Sequence, residues 1–411
     1  MKSILALLMV ILPGIWCCAP DPSSPRFSNY ARKVHQRLLT IDTHCDTPLD
    51  LIRGRIDLGI RQDPRATDSK VDLIRMAEGG LDVSFFAVFI AQRSLNPEGF
   101  AAAYQRAARM LDVIDRALAD YPQLASLATS ADELMRVARS GRRAILIGLE
   151  NGYPIDYDLN RLDEFYRRGV RYVTLCHTRN NHICDSSNDT TLHGGLSTFG
   201  CEVVRKMNRL GMIIDVSHIS DQSFDDVLQL SQAPVMASHS CVRALCDNPR
   251  NLSDDMLLRL AKQGGVTQLC LFSEYITAIP ANAARDSAQA ALKTQFPSYD
   301  DLTESQRELY HAISREIDQR YPPHLASVAD ICDHIDYVVR LVGIDHVGIG
   351  TDFDGGGELA DCYDVSELAN ITAELLRRGY RRTDLQKIWG ANFLRVFRQV
   401  EETARCLSAN G

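Results

Sequence analysis

Eight short apolar runs, rich in β-branched residues, alternate with amphipathic stretches along most of this chain. Continuous apolar runs of this length are typical of parallel strands that are buried on both faces of a sheet. The predicted strands are residues 38–43, 83–89, 144–149, 171–176, 212–217, 234–238, 265–271 and 346–350. Eight strand–helix units in succession predict an α/β fold of the (β/α)8, TIM-barrel type.

The stretches between these runs repeat apolar residues at helical spacing. Several start at a capping residue, such as Ser253 or Ser130, and two stop at Gly211 and Gly264 just before the next strand. The predicted helices are residues 100–121, 131–140, 161–168, 198–210, 221–232 and 254–262, and two extra C-terminal helices are expected at 365–378 and 383–400.

The segment 275–323, after the seventh predicted strand, is polar, helical in parts and longer than a barrel connection requires. It is interpreted as an inserted helical segment near the strand ends, serving as a lid or an oligomer contact. No internal repeat or low-complexity linker divides the chain. We therefore predict a single domain at 38–400, with a lead-in at 20–37 and a tail at 401–411.

Composition narrows the function without choosing it. The 411 residues are 45% hydrophobic, and the net charge is −8 with a pI near 5.8. That balance, without a basic block, argues against a nucleic-acid partner. The twelve cysteines include no Cys-x-x-Cys motif, so one or two disulfides are conceivable but no zinc ribbon is expected.

The first nineteen residues have the pattern of an export signal. Lys2 precedes an apolar stretch at 4–15 that is too short to span a bilayer. We predict a cleaved signal peptide, with a buried N-terminal helix as the alternative. Cys17 or Cys18 could carry a lipid. The protein is thus expected in a bacterial periplasm, or tethered to the cell envelope through an N-terminal lipid.

Imidazoles and carboxylates stand where the predicted strands end. They are His44, Asp46, Glu150, His218 and His239. Because the carboxyl ends of parallel barrel strands meet at one rim, these side chains are expected to gather there. Nitrogen and carboxylate ligands favour zinc, with manganese or cobalt as substitutes. Five ligands suit two zinc ions that share Glu150 and a water or hydroxide between them.

The His-x-Asp spacing occurs twice, and its context separates the two cases. His44 and Asp46 end a strand, where alternate residues share a face. His334 and Asp336 lie in a helical pattern at 328–341, where residues two apart face different sides. We predict that His44 and Asp46 bind metal and that His334 has a core or surface role.

Three further residues complete the candidate chemistry. Asp352 follows the eighth strand and could take a proton from the metal-bound water and return it to the leaving amine, whereas Asp354 is expected to be structural. His177 could polarise a substrate carbonyl or simply bond to the backbone. Arg250 suits bidentate capture of a carboxylate, although surface arginines are common.

Together these motifs resemble the renal (membrane) dipeptidase family of binuclear zinc peptidases, peptidase family M19. The matching segments are 41–46 (Ile-Asp-Thr-His-Cys-Asp), 148–152, 166–172, 174–177, 214–218, 238–240, 250–252, 350–355 and 392–397. The resemblance implies that His44, Asp46 and Glu150 hold one zinc, and Glu150, His218 and His239 the other. It also implies that His177 and Arg250 contact the dipeptide and that Asp352 transfers the proton.

The implied reaction is hydrolysis of short L-L, and in some members L-D, dipeptides by a bridging hydroxide. A homodimer is expected by family analogy alone. Segment 275–323 does not match the family obviously, so side-chain preference stays open. Two alternatives stay open as well. One is another barrel amidohydrolase acting on a cyclic amide, lactone or phosphoester. The other is a non-hydrolytic exported protein that keeps the scaffold for siderophore tailoring or binding.

Overall fold

A parallel sheet forms the centre of the protein, as seen in a computed structural model that describes residues 24–297 and 302–409. Its strands are β1 (Ile41–Cys45), β2 (Val83–Phe89), β3 (Ala125–Leu127), β4 (Arg143–Glu150), β5 (Val170–Thr174), β6 (Ile213–Asp215), β7 (Met236–Ala237), β8 (Val266–Leu269) and β9 (Val347–Ile349). All eight predicted strands are present. β3 is an addition that pairs with the first three residues of β4.

The strand order is β1-β2-β4-β5-β6-β7-β8-β9, with β3 off this path. Every pairing is parallel, from Val83 beside Ala144 in β2 and β4 to Leu269 beside Ile349 in β8 and β9. A parallel bridge between Cys45 and Phe353 brings the last strand back to the first. The structure therefore confirms a nearly closed TIM-type barrel.

Helices cover the outside of the sheet. They are α1 (Pro25–His35), α2 (Pro48–Ile52), α3 (Pro64–Thr67), α4 (Leu73–Gly79), α5 (Pro97–Asp120), α6 (Ala131–Arg139), α7 (Asn160–Arg167), α8 (Thr198–Leu210), α9 (Asp221–Leu230), α10 (Asp254–Lys262), α11 (Ser273–Ile276), α12 (Ala283–Gln295), α13 (Glu304–Arg320), α14 (Val328–Val342), α15 (Ala369–Arg377), α16 (Arg382–Gln386) and α17 (Asn392–Ala409). Ser130 and Ser253 accept the capping hydrogen bonds expected of them, and Gly211 ends α8 in the left-handed conformation.

The C-terminal boundary differs from the sequence-based expectation. The last helix, predicted to end at residue 400, continues to Ala409 as the end of α17. The buried face of α17 extends beyond Val400 to include Ala404. The predicted signal at 1–19 lies outside the described residues, as do Cys17 and Cys18. The ten described cysteines form no disulfide. Across residues 24–297 and 302–409, no helix combines the length and apolar character needed to cross a membrane.

The final helix closes the end of the barrel at which the strands begin. Ile41, Val83 and Ala144 stand at the starts of their strands and belong to one buried cluster with Phe393 and Phe397 of α17. Burying such side chains is worth roughly 1.5–3 kcal/mol each. The opposite rim, where the strands end, is therefore the one left for chemistry.

The predicted insertion is present after β8, the seventh strand of the barrel proper. Helices α12 and α13 make up most of it, and they share a small apolar cluster of Leu292, Phe296 and Ile317. This cluster is separate from the barrel core. The insertion therefore packs largely on itself, above the rim.

Candidate metal centre

Six predicted site residues lie at the carboxyl ends of five strands. His44 belongs to β1 and Asp46 follows it, Glu150 is the last residue of β4, and His218, His239 and Asp352 come shortly after β6, β7 and β9. All six are at least nine-tenths buried. The barrel thus gathers groups that are more than 300 positions apart in sequence.

Local backbone geometry turns some of these side chains inward. His218 has φ of 71° and Asp352 has φ of 60°, which is the left-handed region that non-glycine residues rarely occupy. Neighbouring Asp354 has φ of 65°. Such conformations cost of order 1–3 kcal/mol each and cluster at functional sites. At the ends of β6 and β9 the backbone therefore adopts an unfavourable conformation that sets the direction of these side chains.

Glu150 is the centre of the arrangement. Its Oε1 lies 3.2 Å from Nε2 of His218, 3.5 Å from Nε2 of His239 and 3.7 Å from Nε2 of His177. Its Oε2 lies 3.5 Å from Nε2 of His44. One oxygen of the carboxylate therefore faces three imidazoles and the other oxygen faces a fourth. This arrangement suits a carboxylate that bridges two cations.

Several buried polar atoms of this centre lack a hydrogen-bond partner within residues 24–297 and 302–409. His44 Nε2, Asp46 Oδ1 and Glu150 Oε2 have no hydrogen-bond partner among the described residues. The Nε2 atoms of His218 and His239 face each other at 2.9 Å. Unpaired buried polar atoms are costly. Cations accepting these lone pairs would remove the penalty, so the donor set fits a metal centre.

Three overlapping groups of side chains have ligand atoms close enough to hold an ion. They are His44, Glu150 and His239; Glu150, His177 and His218; and His44, Asp46 and Asp352, with ligand atoms within 4.8 Å of one another in each. All five predicted ligands appear in these groups. The geometry therefore brings the five predicted ligands together. It does not reproduce the two predicted sets of ligands, because His239 groups with His44 and not with His218.

Tyr172 and Asp42 hold His44 in place. The Nδ1 atom of His44 lies 2.8 Å from the Tyr172 hydroxyl, and both residues are fully buried. For Nε2 to keep a lone pair for a cation, Nδ1 must carry the proton and donate it to that hydroxyl. Asp42 accepts hydrogen bonds from the backbone N–H of His44 at 3.2 Å and from Thr351 N–H and Oγ1–H at 2.8 Å each.

A second buried network fixes His239. Its Nδ1 contacts the Ser238 hydroxyl at 2.8 Å, and that hydroxyl is 2.7 Å from Asp215 Oδ2. Asp215 also accepts from the Thr174 hydroxyl at 2.5 Å and from the Ser217 N–H at 3.0 Å. Supporting contacts of this kind orient metal-binding histidines.

Burial and mutual charge shift the pKa values of the cluster in opposite directions. Burial alone would lower the pKa of His44, but the Glu150, Asp46 and Asp352 carboxylates raise it to about 10. Burial lowers the pKa of His218 and His239 well below the usual value. Burial raises the pKa of Asp46 far above its ordinary range. A cation held by His44 and Asp46 would therefore have to displace protons from these two groups.

Asp352 stands beside the cluster as a separate carboxyl group. Its Oδ1 is 3.9 Å from His44 Nε2, and its Oδ2 accepts a weak hydrogen bond from the Cys270 thiol at 3.6 Å. Burial raises its pKa to about 6, against the lowering effect of His44. Asp354 instead accepts from Thr47 Oγ1 and Lys70 N–H at 2.6 and 2.5 Å, a structural role as expected.

His177 lies at the more open edge of the site. Its side chain is 22% exposed, and its ring packs against His218 and Phe89 with centroids 4.1 and 4.7 Å away. Besides facing Glu150, it can thus reach a molecule that enters from solvent.

Arg250 is buried rather than on the surface. Its Nη1 donates to Ser240 Oγ and its Nη2 donates to the carbonyl of His239, both at 2.9 Å. Its Nε is buried with no partner among the described residues. The guanidinium lies 5.3 Å over the Tyr275 ring. The two Nη atoms are therefore bound to the protein, and Nε remains able to donate a hydrogen bond to a ligand.

His334, the second His-x-Asp histidine, is structural. In α14 its Nδ1 accepts from the Val242 N–H at 3.1 Å, and its Nε2 lies 2.9 Å from the Ile276 carbonyl. Asp336 on the same helix binds Arg378 and Tyr380 instead. The helical context had separated this pair from His44 and Asp46.

Sequence reasoning assigned no role to Asp42, Asp215, Tyr172 or Tyr275. A signal existed for the first two, because an acid inside an otherwise apolar strand needs a buried partner. Tyr172 and Tyr275 carried no such signal. Their importance depends on which strand or loop lies beside His44 and Arg250.

Comparisons with known proteins agree with this geometry. The family model described as "Membrane dipeptidase (Peptidase family M19)" matches residues 28–411. Dipeptidase tcpJ of Claviceps purpurea is 32% identical over 81% of this chain and 70% of its own length. Dipeptidase 3 of Mus musculus is 32% identical over 92% of this chain and 68% of its own. The crystal structure of the probable dipeptidase PvdM from Pseudomonas aeruginosa has a TM-score of 0.80 at 32% identity, covering 93% of this chain and 100% of that one.

Proposed function

Since the chain belongs to the membrane dipeptidase family, peptidase family M19, it is a peptidase-type hydrolase, and we propose that it cleaves dipeptides with a free C-terminal carboxylate. One observation carries the proposal. The imidazoles of His44, His177, His218 and His239 lie 3.2–3.7 Å from the two oxygens of Glu150, at the rim where Asp46 and Asp352 also stand.

We assign two cations to this centre, held by His44, Asp46 and Glu150 on one side and by Glu150, His218 and His239 on the other. When bound, such ions activate a water molecule and polarise a carbonyl. Zinc is the expected metal because the donors are nitrogen and carboxylate oxygen, and manganese or cobalt can replace it for the same reason. Tyr172 and Ser238 hold the ligand imidazoles in orientation.

Asp352 and His177 are placed for the charge changes of hydrolysis. A carboxyl group with a pKa of about 6 is ionised at neutral pH, so Asp352 can accept a proton and return it to the departing nitrogen. The His177 ring, at the open edge, donates a hydrogen bond to the oxygen of the scissile carbonyl as negative charge develops there.

Arg250 binds the substrate carboxylate in this proposal. A guanidinium that is already held at Ser240 and His239 loses little freedom when it binds an anion. Its buried Nε also gains the partner it lacks. Anchoring the C-terminal carboxylate beside His239 would place the last peptide bond at the metal centre.

The test is hydrolysis of a small panel of L-L and L-D dipeptides by the zinc-loaded protein. We expect free amino acids to be released by the wild type and by Glu401→Gln. Glu401 is a half-buried glutamate on the last helix that bonds to Ala131. Glu150→Gln should abolish turnover. Activity of Glu150→Gln equal to that of Glu401→Gln would refute the assignment.

We also propose a single catalytic domain that forms a homodimer. The N-terminal segment exports it to a bacterial periplasm, where it is either free or tethered to the cell envelope through an N-terminal lipid. The apolar stretch at 4–15 after Lys2 supports export. The intact mass of the mature protein tests cleavage and lipidation together, and light scattering gives the number of chains in the particle. A mature N-terminus at Met1 would contradict export through a cleaved signal.

A further inference from the structure

The end of β8 brings a buried thiol to the edge of the metal centre. Cys270 comes directly after this strand, which supplies none of the predicted ligands, and its side chain is fully buried. Strands β8 and β9 continue to pair beyond their ends, because the Leu271 N–H donates to the Thr351 carbonyl at 3.2 Å. This backbone pairing holds Cys270 beside Asp352.

The backbone of Asp352 is fixed more firmly than its carboxylate. Its N–H donates to the His44 carbonyl at 3.0 Å, and its carbonyl accepts from the N–H groups of Gly355 and Gly357 at 3.1 and 2.7 Å. Among the described residues, the donor to its carboxylate is the Cys270 thiol, 3.6 Å from Oδ2. The direction in which each carboxylate oxygen points therefore depends on this thiol.

Cys270 is a hydrogen-bond donor in this contact. Burial raises the pKa of the Cys270 thiol well above its usual value, and the charge of the Asp352 carboxylate raises it further. The thiol is therefore protonated at neutral pH. Its sulfur accepts a hydrogen bond from the Phe272 N–H at 3.4 Å, so the S–H proton remains available for Asp352. A thiol is a weak donor, but an ionised acceptor strengthens the bond.

We propose that Cys270 is a positioning residue for the proton transfer carried out by Asp352. Its thiol holds Oδ2, so that Oδ1 faces the candidate metal ligands at 3.9 Å from His44 Nε2. The inference rests on the proposed function, because it depends on the role given there to Asp352. A misplacement of about 1 Å can cost roughly 100-fold in rate. The backbone hydrogen bonds of Asp352 survive loss of the thiol, so we expect a smaller loss, of about ten-fold.

The first experiment compares the hydrolysis of L-Ala-L-Ala by zinc-loaded variants of the full chain. Cys270→Ala removes the donor, whereas Cys270→Ser keeps a hydroxyl donor at the same position. Cys332→Ala is the matched control, since Cys332 is also fully buried but lies in α14 beside Arg378 and Glu374.

Cys270→Ala should lower kcat about ten-fold, with KM within about two-fold of the wild type and zinc content unchanged. Cys270→Ser should recover most of that loss, and Cys332→Ala should keep the kcat of the wild type. A kcat for Cys270→Ala equal to that of Cys332→Ala would overturn the inference. So would a Cys270→Ser variant as slow as Cys270→Ala, because the loss would then come from packing and not from the missing donor.

Infrared spectroscopy of the zinc-loaded protein tests the contact without turnover, because S–H stretching bands lie apart from the other protein bands. The band that disappears in Cys270→Ala belongs to Cys270. Asp352→Asn replaces the charged acceptor by a neutral one, so the weakened hydrogen bond should move this band to higher frequency. Asp354→Asn changes a neighbouring carboxylate that binds Thr47 and Lys70 instead, and it should leave the band in place.

The outcomes separate this inference from the proposed function. A Cys270 band that does not move in Asp352→Asn, or a loss of kcat that Cys332→Ala shares, would overturn the positioning role alone, provided that the wild type cleaves the dipeptide. If the wild type does not cleave the dipeptide, the proposed function fails, and the positioning role fails with it.

Discussion

Removing the hydroxyl of Tyr172 should weaken metal binding without disturbing the barrel. In Tyr172→Phe the ring keeps its place, because it packs against Phe85 at 5.1 Å and beneath Gly148, where an added Cβ would lie 2.0 Å from the ring. Among the contacts of the described residues, the variant loses the 2.8 Å hydrogen bond between the hydroxyl and His44 Nδ1. That N–H is then buried without a partner, and the imidazole loses the group that fixes its tautomer.

The size of the effect follows from that single contact. An unsatisfied buried donor costs about 1–3 kcal/mol. Loss of a supporting partner typically lowers metal affinity about 10–100-fold, or roughly 1.4–2.8 kcal/mol. Zinc affinity is measured by competition with a chromophoric chelator, and the unfolding midpoint is measured on the metal-free protein.

Tyr153→Phe is the matched control. Tyr153 is also fully buried, and its hydroxyl donates to the Ser94 carbonyl at 2.5 Å, away from any ligand imidazole. Both variants should lose similar stability when metal-free, but only Tyr172→Phe should lose zinc affinity. Equal zinc affinities in the two variants would refute the reasoning.

Three further predictions concern protons and substrate. Loading zinc at about pH 8 should release at least one proton per chain, because His44, with a pKa of about 10, is protonated in the metal-free protein. For the same reason, zinc affinity should rise as the pH approaches 10. Calorimetry in buffers of different ionisation enthalpy counts the released protons, and a count of zero contradicts the assignment. Asp352→Asn should lower kcat about 10²–10⁴-fold with metal content unchanged. In the wild type, activity should fall as pH drops through about 6, where Asp352 becomes protonated; a pH profile flat across that range would exclude its role. Arg250→Lys should raise KM about 10–100-fold with little change in kcat, because an ammonium cannot reproduce the planar contacts; a loss confined to kcat would argue against carboxylate binding.

The barrel, and the gathering of the candidate ligand residues at one rim, were predictable because both depend on local pattern. In the sequence, a buried parallel strand appears as a run of apolar residues. The polar residue that ends this run lies at the shared rim of the barrel, whichever segment comes after it. Glu150 shows this directly, since it is the last residue of β4 after six buried positions. The same argument separated His44 from His334, because strand and helix periodicity place residues two apart differently.

Other features depend on packing between distant segments and left no local trace. The hydroxyl of Tyr172 reaches His44 only because β5 lies across the barrel from β1. Short β3 has just three residues and was too brief to stand out as a strand. The continuation of α17 to Ala409 depends on a few apolar positions in a polar stretch.

Metal content per chain tests the central claim most directly, with His44→Asn and His334→Asn as a matched pair. Asn keeps an atom at the δ position of each imidazole and removes the ε nitrogen, which faces Glu150 in one case and the Ile276 carbonyl in the other. By elemental analysis after zinc loading, the wild type and His334→Asn should each hold two ions per chain, and His44→Asn should hold at most one. Fewer than two ions in the wild type, or two ions in His44→Asn, would contradict the account.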